Sequence, residues 1–357
     1  MAKKLLARVG IAAIALALSA GSASAAYDTN ATSVVSTVVT TTQTTATTST
    51  VTTGFTGGGG TSSMFTPGGG GGGGGGGTPG VDTNSGSLMP TGRGLSAGGK
   101  EGRLAVWVNA GYSYFDEDQE ALDSDGTAVA LAAGGDWRFS ERVIGGLSVG
   151  YQYSDVNTTF NQGKIESDGF FVAPYIAVEV TNNIFVDGTV GYTFLGNDAD
   201  RISGGTKITG SYDSSTVFGT ANVTGNIQRG RLTIQPGVGV LYTRQKSDSY
   251  TESNGGVIPS NTATLGRLRA GARLQYQVTN ALAPFVRGDI EYDFKHDDIT
   301  VGAGQTQPSY HDTGGVLGAG MVMNLSDRMR ASVEGSTVVG KSDFSQYNLS
   351  ANLRFSF

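Results

Sequence analysis

The stretch RLRAGARLQY, residues 267–276, places charged and apolar side chains on opposite faces of an extended chain. Successive side chains of a strand point to opposite faces, so Arg267, Arg269 and Arg273 share one face and the leucines share the other. A register slip of one residue would turn all three arginines toward the apolar side, at a cost of about 2–4 kcal/mol each near the middle of a bilayer. The stretch therefore predicts a strand with one lipid-facing side and one polar side.

Alternation with a period of two recurs along the C-terminal part of the chain. Twelve candidate strands lie at 104–114, 127–139, 142–154, 169–181, 184–195, 216–227, 231–245, 263–278, 282–295, 313–324, 328–340 and 345–357. An even number of strands is typical of single-chain bacterial barrels. The sequence thus predicts an all-β fold for residues 101–357, a twelve-stranded antiparallel transmembrane β-barrel.

The links between these strands alternate in length, which supports the same fold. Short links are predicted at 140–141, 181–183, 228–230, 279–280 and 325–327, and longer polar loops near 116–126, 155–168, 196–215, 246–262 and 296–312. Short periplasmic turns and long external loops are typical of outer-membrane barrels. A soluble β-sandwich is the alternative, but its inner faces would be apolar and far less rich in glycine than these strands.

Residues 1–26 have the features of a secretory signal peptide. Basic residues, among them Lys3 and Lys4, precede an apolar run that is too short to span a bilayer as a helix. Small residues follow and allow cleavage after Ala25 or Ala26. We therefore expect a bacterial protein exported through the Sec translocon. An uncleaved membrane anchor is the less favoured alternative.

Residues 27–100 form a low-complexity segment rich in threonine and glycine. Such a composition buries too little apolar surface to offset its backbone entropy, so we predict a disordered passenger or linker. The bulk composition excludes other classes. A net charge of −6 gives no electrostatic basis for a nucleic-acid partner, and the absence of cysteine excludes disulfides and a cysteine-linked lipid anchor.

Residue types that carry catalysis are few. The two histidines, His296 and His311, lie near Asp297, Asp298 and Asp312 in or beside one predicted loop. A His/Asp pair can activate water, and the same groups can bind a metal. Solvated loop charges are the simpler interpretation, and no nucleophile elbow or zinc-protease motif occurs in the sequence. We predict no enzyme activity, no cofactor and no metal site.

Charged residues on the polar faces of the predicted strands are expected to line the barrel lumen. Two interpretations remain open: a pore wall that contacts a threaded segment or selects ions, and a salt-bridged network that stiffens the barrel. The residues are Asp187, Arg267, Arg269, Arg273, Arg287, Asp289, Glu291, Asp293, Arg330, Glu334 and Arg354.

Several stretches together resemble the C-terminal translocator domain of bacterial autotransporters, the proteins of type V secretion. They are Gly134 to Arg138 with Gly145 to Tyr151, Pro236 to Gly239 with Tyr242 to Arg244 and Tyr250 to Gly256, Pro284 to Arg287, and Tyr347 to Phe357. The resemblance covers roughly residues 104–357. It implies a barrel in outer-membrane lipid, expected to be monomeric, whose linker threads the pore to present an N-terminal passenger outside the cell.

The resemblance also implies insertion by the barrel-assembly machinery, which would recognise the last strand. Phe355 and the terminal Phe357 fit this C-terminal assembly signal, while Asn352 stands where a glycine is usual.

Two features depart from the family pattern. The predicted passenger is a short low-complexity segment instead of a long β-helix, and Thr91 to Arg103 contains five glycines, each costing a helix about 1 kcal/mol against alanine. The leading interpretation is an outer-membrane barrel that anchors, and translocates or displays, its own Thr/Gly-rich segment. The alternative is a small general outer-membrane protein or diffusion channel whose N-terminal tail stays in the periplasm.

Overall fold

The structure, a computed structural model, describes residues 104–118, 123–140, 142–296, 312–326, 328–341 and 344–357. The predicted signal peptide with its cleavage site at Ala25 and Ala26, and the Thr/Gly-rich segment 27–100, lie outside the described residues. Within the described ranges nearly every residue is in a strand, and no helix is long and apolar enough to cross a membrane.

Fifteen strands follow one another in the described part of the chain. They are β1 (Leu104–Glu117), β2 (Ser124–Ser140), β3 (Val143–Thr158), β4 (Gly163–Thr181), β5 (Ile184–Ser203), β6 (Thr206–Gly225), β7 (Ile227–Arg229), β8 (Leu232–Ser247), β9 (Tyr250–Thr251), β10 (Val257–Ile258), β11 (Asn261–Tyr276), β12 (Leu282–His296), β13 (Thr313–Ser326), β14 (Met329–Val339) and β15 (Phe344–Ser356).

Twelve of these strands form one closed antiparallel barrel, as the sequence predicts. β1 to β6 pair in chain order, β6 pairs with β8, β8 with β11, and β11 to β15 again pair in chain order. β15 then pairs with β1 along its whole length and closes the cylinder, so the barrel wall has no free edge. β7 continues the edge of β6 along β8, while β9 and β10 form a separate ribbon.

The two ends of the barrel differ. We call the end that carries Leu104, Phe357 and the links from β2 to β3, β4 to β5 and β13 to β14 the short-turn end, and the opposite end the far end. The backbone N–H of Phe357 donates a 2.9 Å hydrogen bond to the carbonyl of Leu104, so the start and the end of the barrel meet there.

Side chains of the barrel strands alternate between the outer surface and the interior, which confirms the predicted faces. In β11, Leu268 is 43% exposed, whereas its neighbour Arg267 is 7% exposed. β12 repeats the pattern, with Val286 and Ile290 exposed and Glu291 buried. Because a slip of one residue would exchange the two faces, the charge pattern of each strand sets its register.

Two predicted external loops are mostly strand instead. The predicted loop 196–215 belongs to β5 and β6, which leave only Gly204 and Gly205 between them. Both glycines have a positive φ, 57° and 77°, as the central residues of a type I′ hairpin turn require. The predicted loop 155–168 is likewise taken up largely by β3 and β4. These strand ends were missed because they extend beyond the lipid-facing apolar band, where an apolar face is no longer needed.

The β9–β10 ribbon packs against the far-end extension of β5 and β6. Arg201 donates two hydrogen bonds, of 3.0 and 2.6 Å, to the carboxylate of Glu252. The ring of Tyr250 stacks on Tyr212 at a centroid distance of 4.8 Å. Burial raises the pKa of the Tyr212 hydroxyl, so this phenol stays neutral.

Inward aromatic rings lie directly opposite glycines of the neighbouring strand. Trp107 of β1 is paired with Gly134 of β2, and Phe171 of β4 with Gly150 of β3. A Cβ atom on either glycine would overlap the facing ring. The same arrangement holds for Phe115 and Gly126, Tyr175 and Gly146, Phe218 and Gly191, and Phe285 and Gly320. Part of the glycine content therefore serves to let flat rings lie against the inner wall.

Candidate functional site

The interior wall has a mostly uncharged side, which contains an aromatic cluster, and a charged side. Buried aromatic and small residues on β1 to β6 form one cluster, which contains Trp107, Ala132, Ile144, Phe171, Ala173, Tyr175, Ala177, Phe185 and Phe218. Most of the predicted lumen-lining charges lie instead on β11 to β15. An occupant of the interior would therefore meet a wall with an aromatic cluster and mostly uncharged polar groups on one side, and an ionic wall on the other.

One ionic cluster lies toward the far end of β11 and β12. The guanidinium of Arg267 donates to Glu291 at 3.0 Å and to Asp293 at 2.9 Å. Arg269 donates to the other oxygen of Glu291 at 2.9 Å. The ammonium group of Lys341 reaches Asp293 at 3.0 Å. Four predicted interior residues thus form a single network, joined by Lys341, which lies between the predicted strands 328–340 and 345–357.

A second ionic cluster lies nearer the middle of the same wall. Arg287 of β12 is paired with Asp289 on its own strand and with Glu334 of β14 at 2.5 Å. β13 lies between β12 and β14, and its Gly318 leaves room for the bridge to pass: a Cβ atom there would lie 3.1 Å from Arg287 and 3.2 Å from Glu334. Gly314 has the same relation to Lys341, at 2.8 Å. Inward glycines on β13 thus allow charges two strands apart to meet.

The seam between the first and last strands carries a third network. Arg354 of β15 donates to Asp136 of β2 at 2.7 Å, across the intervening β1. The hydroxyl of Tyr175 donates to the same carboxylate at 3.3 Å and accepts the indole N–H of Trp107 at 2.8 Å. Arg330 lies opposite Arg354 on β14 and donates to Asn324 at 3.2 Å.

Two further predicted interior charges, Asp187 and Arg273, contact uncharged groups. Asp187 of β5 is 5% exposed and accepts one hydrogen bond, 2.7 Å long, from the amide of Asn222. Arg273 of β11 donates to Gln275 at 3.1 Å, and its guanidinium carbon lies 3.4 Å from the centre of the Phe285 ring. The structure thus brings most of the predicted charges into ion pairs, whereas Asp187 and Arg273 contact uncharged side chains. That the eleven residues line a passage remains a prediction.

The predicted C-terminal assembly signal lies at the barrel seam. Phe355 is paired with Val106 of β1 and with Met329 of β14, and Phe357 is exposed at the short-turn end. Asn352, where the family usually has glycine, is buried and donates to the carbonyl of Val108 at 3.1 Å. Recognition of this strand by an assembly machine remains a prediction.

The predicted loop that carries the two histidines joins β12 to β13. Residues 297–311 and the side chain of His296 lie outside the described residues. Within the ranges that are described, no group of three or more His, Asp and Glu side chains is arranged to hold a metal ion.

Sequence reasoning missed several members of the interior networks. Asp136 was noted only within a stretch that resembles the family, Tyr175 carries no charge, and Lys341 follows the end of a predicted strand. The signal that could have found Tyr175 is its pairing with a glycine, but that pairing is known only once the register of two strands is known.

Comparison with known proteins agrees with this geometry. Residues 106–336 match the family model described as the autotransporter beta-domain, well over half of the chain. In Escherichia coli K12, the putative uncharacterized protein YaiT is 26% identical over 233 residues, which cover 62% of this chain and 23% of YaiT. This chain therefore spans less than a quarter of the length of that relative.

Solved structures with the same fold include two translocator barrels. The translocator domain of NalP from Neisseria meningitidis has a TM-score of 0.62 at 19% identity, covering 74% of this chain and 91% of that one. The beta domain of the Bordetella protein BrkA has a TM-score of 0.58 at 20% identity, covering 72% of this chain and 100% of that one. At these identities the likeness establishes the fold alone.

Proposed function

Because this chain belongs to the autotransporter family and carries its β-domain, an outer-membrane barrel of type V secretion, we propose that the barrel anchors and displays the chain's own N-terminal segment, residues 27–100. The segment is the passenger or the linker of a passenger, and it reaches the cell surface through the barrel interior. Residues 1–26 direct export through the Sec translocon and are removed after Ala25 or Ala26.

The observation that carries this proposal is the position of Leu104. It begins β1 at the short-turn end, next to the C-terminal Phe357. Short turns of outer-membrane barrels face the periplasm. A chain that precedes Leu104 would then start on the periplasmic side, and in our proposal it reaches the outside through the lumen.

The charges on the inner wall support passage of a polar segment. Lipid excludes an unpaired backbone, so an extended chain crosses a membrane only where protein or water surrounds it. In our proposal the lumen-lining set named above contacts the segment. The stretch 27–100 has no aspartate or glutamate apart from Asp28 and Asp82, so charge repulsion by the interior carboxylates is weak.

Assembly follows from the same proposal. The barrel-assembly machinery inserts a monomeric barrel into outer-membrane lipid after recognising Phe355 and Phe357 on the last strand. Large apolar residues are exposed on every barrel strand except β14, and this exposure supports lipid contact. The β-domain is a secretion domain, and we propose no catalytic role for this chain.

Protease treatment of intact cells tests the proposal. An epitope placed after residue 27 should be removed by external proteinase K, while the barrel resists digestion. An epitope that survives in intact cells and is cut only after the outer membrane is permeabilised would place the tail in the periplasm. That result would favour the alternative of a diffusion channel, which steady conductance of the purified chain in planar bilayers would then support.

A further inference from the structure

The outward face of β8 ends in two cations at the far end of the barrel. From Leu232 to Tyr242 the outward side chains of this strand are apolar or aromatic. With a rise of about 3.3 Å per residue and a tilt of about 40°, this stretch climbs roughly 25 Å, the height of the apolar band of outer-membrane barrels. Arg244 and Lys246 follow on the same face and are exposed. Both therefore lie at the level of lipid headgroups.

Arg244 differs from other outward cations of the far end. Lys164 is paired with Glu166 at 2.6 Å, and Lys207 with Asp200 at 2.9 Å. Arg244 makes no ion pair with any residue in the described ranges. A guanidinium can bind a phosphate with two parallel hydrogen bonds. As far as the described chain is concerned, Arg244 is therefore available for an anion at the membrane surface.

Lys246 adds a second positive charge two positions further along β8. Its ammonium group reaches Asp248 at 3.3 Å, and both side chains are 62% exposed. Exposed bridges contribute at most about 1 kcal/mol, so this bridge can open to accept another anion. Asp248 follows the end of β8, on the side away from the membrane. A phosphate in the headgroup layer therefore meets the two cations before it meets this carboxylate.

A shallow groove separates these cations from β5. On the intervening strand β6, Val217 is paired with Arg244 and Ser215 with Lys246. Both β6 side chains face outward and are shorter than the side chains of β8 beside them. Because neighbouring strands lie about 4.8 Å apart, β8 and β5 are separated by roughly 9.6 Å. The β6 residues thus form the floor of the groove, and the two cations form one wall.

Two aromatic rings on β5 form the other wall. Tyr192 is paired with Val217, and Phe194 with Ser215. The two ring centroids lie 4.6 Å apart, and Phe194 is 61% exposed. Exposed rings offer apolar faces against which the C–H groups of a sugar can pack. Cations and aromatic rings therefore face each other across the groove, and a ligand that carries both a phosphate and a sugar matches the two walls.

We propose that this groove binds the phosphorylated sugar headgroup of a glycolipid in the external leaflet of the outer membrane. Arg244 and Lys246 bind the phosphate, Tyr192 and Phe194 pack against the sugar, and the acyl chains lie along the apolar outer face below Tyr242. The proposal goes beyond display of the N-terminal segment and does not depend on it. It requires only that the far end of the barrel faces outward.

Native mass spectrometry of the purified full chain in detergent tests the cationic wall, with diphosphorylated lipid A as the probe. Wild type should bind this lipid about tenfold more tightly than lipid A without phosphates, and Arg244→Gln should lose most of that difference. Lys207→Gln removes an exposed cation from the tip of the β5–β6 hairpin, outside the groove, and should bind as wild type. Equal binding by Arg244→Gln and wild type would overturn the proposal.

The aromatic wall is tested with Phe194→Leu, which keeps an apolar side chain on the outer face but removes the ring. Binding of diphosphorylated lipid A should weaken several-fold. The matched control is Phe170→Leu, because Phe170 is 65% exposed and lies opposite Phe194 on β4, outside the groove. Heat-modifiable migration confirms that each variant is folded. Equal losses in the two variants would overturn the assignment of the sugar to this groove.

Two competitors distinguish a glycolipid from other sources of phosphate. Inorganic phosphate lacks both sugar and acyl chains, and phosphatidylglycerol has acyl chains but no sugar ring. Neither should displace diphosphorylated lipid A when present at the same concentration. Displacement by inorganic phosphate would show a site for free anions, and displacement by phosphatidylglycerol a site for any anionic lipid. Either result would overturn the glycolipid assignment while leaving the display function untouched.

Discussion

The indole N–H of Trp107 donates a 2.8 Å hydrogen bond to the hydroxyl of Tyr175, which lies 68 residues later in the chain. The bond joins β1 to β4 across two intervening strands, inside the barrel. Tyr175 also reaches Asp136, which is paired with Arg354 of the last strand. One tyrosine hydroxyl therefore helps to hold the seam at which the barrel closes.

Removing this hydroxyl should destabilise the barrel. Tyr175→Phe leaves the 1% exposed indole of Trp107 without its acceptor, at a cost of about 1–3 kcal/mol. Urea unfolding in lipid vesicles measures the change. Tyr242→Phe removes a hydroxyl from an exposed ring and should change the free energy of unfolding by less than about 0.5 kcal/mol. Equal effects of the two substitutions would contradict the role of Tyr175.

Inward glycines should tolerate no side chain where a ring faces them. Gly191→Ala would place a methyl group in the ring of Phe218, and such overpacking costs about 1–3 kcal/mol. Gly196→Ala is the control on the same strand, since a Cβ atom there meets nothing within 4 Å. The temperature at which the heat-modifiable band is lost should fall only for Gly191→Ala.

The buried acid Asp293 should matter more than the buried base Lys341. Asp293→Asn withdraws the carboxylate that faces both Arg267 and Lys341, and breaking such a buried pair costs about 3–5 kcal/mol. Lys341→Met leaves the pairing of Asp293 with Arg267 in place and should cost clearly less. Unfolding in urea compares the two variants, and a larger loss for Lys341→Met would refute this order.

The pair of Arg201 and Glu252 should hold the β9–β10 ribbon in place. Glu252→Gln removes the negative charge from a bidentate salt bridge that is largely buried. The backbone N–H of Ser253 donates a 2.8 Å hydrogen bond to the carbonyl of Thr209. Hydrogen exchange of this N–H should therefore accelerate several-fold in the variant. Lys207→Gln breaks an exposed bridge to Asp200 and should leave the Ser253 rate unchanged.

Alkaline pH should loosen the same ribbon through Tyr212. Burial raises the folded-state pKa of Tyr212, and the neighbouring Tyr250 raises it further. The contribution of the neutral phenol to folding stability is therefore complete below the ordinary tyrosine pKa of about 10. It is lost as the pH rises toward the folded-state pKa. The tyrosinate absorbance of wild type minus Tyr212→Phe should therefore appear above the ordinary midpoint. A difference curve centred near pH 10 would contradict this assignment.

Much of the barrel could be predicted because its strands face two different solvents. Arg267 and Leu268 occupy adjacent positions, but Arg267 faces the interior and Leu268 faces the lipid. Because of this contrast, the strand, the direction of each side chain and the register could be predicted from the sequence. The hairpin around Gly204 and Gly205 lacks that contrast, since its strands extend past the lipid. Its polar residues therefore suggested a loop.

The sequence predicted which charged residues lie inside the barrel, but it did not predict which of them pair with each other. Asp293 and Glu334 were expected inside, yet nothing in their spacing indicated that Asp293 meets Lys341 or that Glu334 meets Arg287 across a glycine of the strand between them.

The amino-acid sequence by itself determined the strands, their number and the side of the wall that each residue faces, because lipid contact is imposed locally, residue by residue. Only the tertiary structure decided which interior charges meet an opposite charge and which, like Asp187 and Arg273, meet uncharged groups among the described residues. Those contacts depend on the stagger of strands around a closed cylinder, and that stagger is a property of all the strands together.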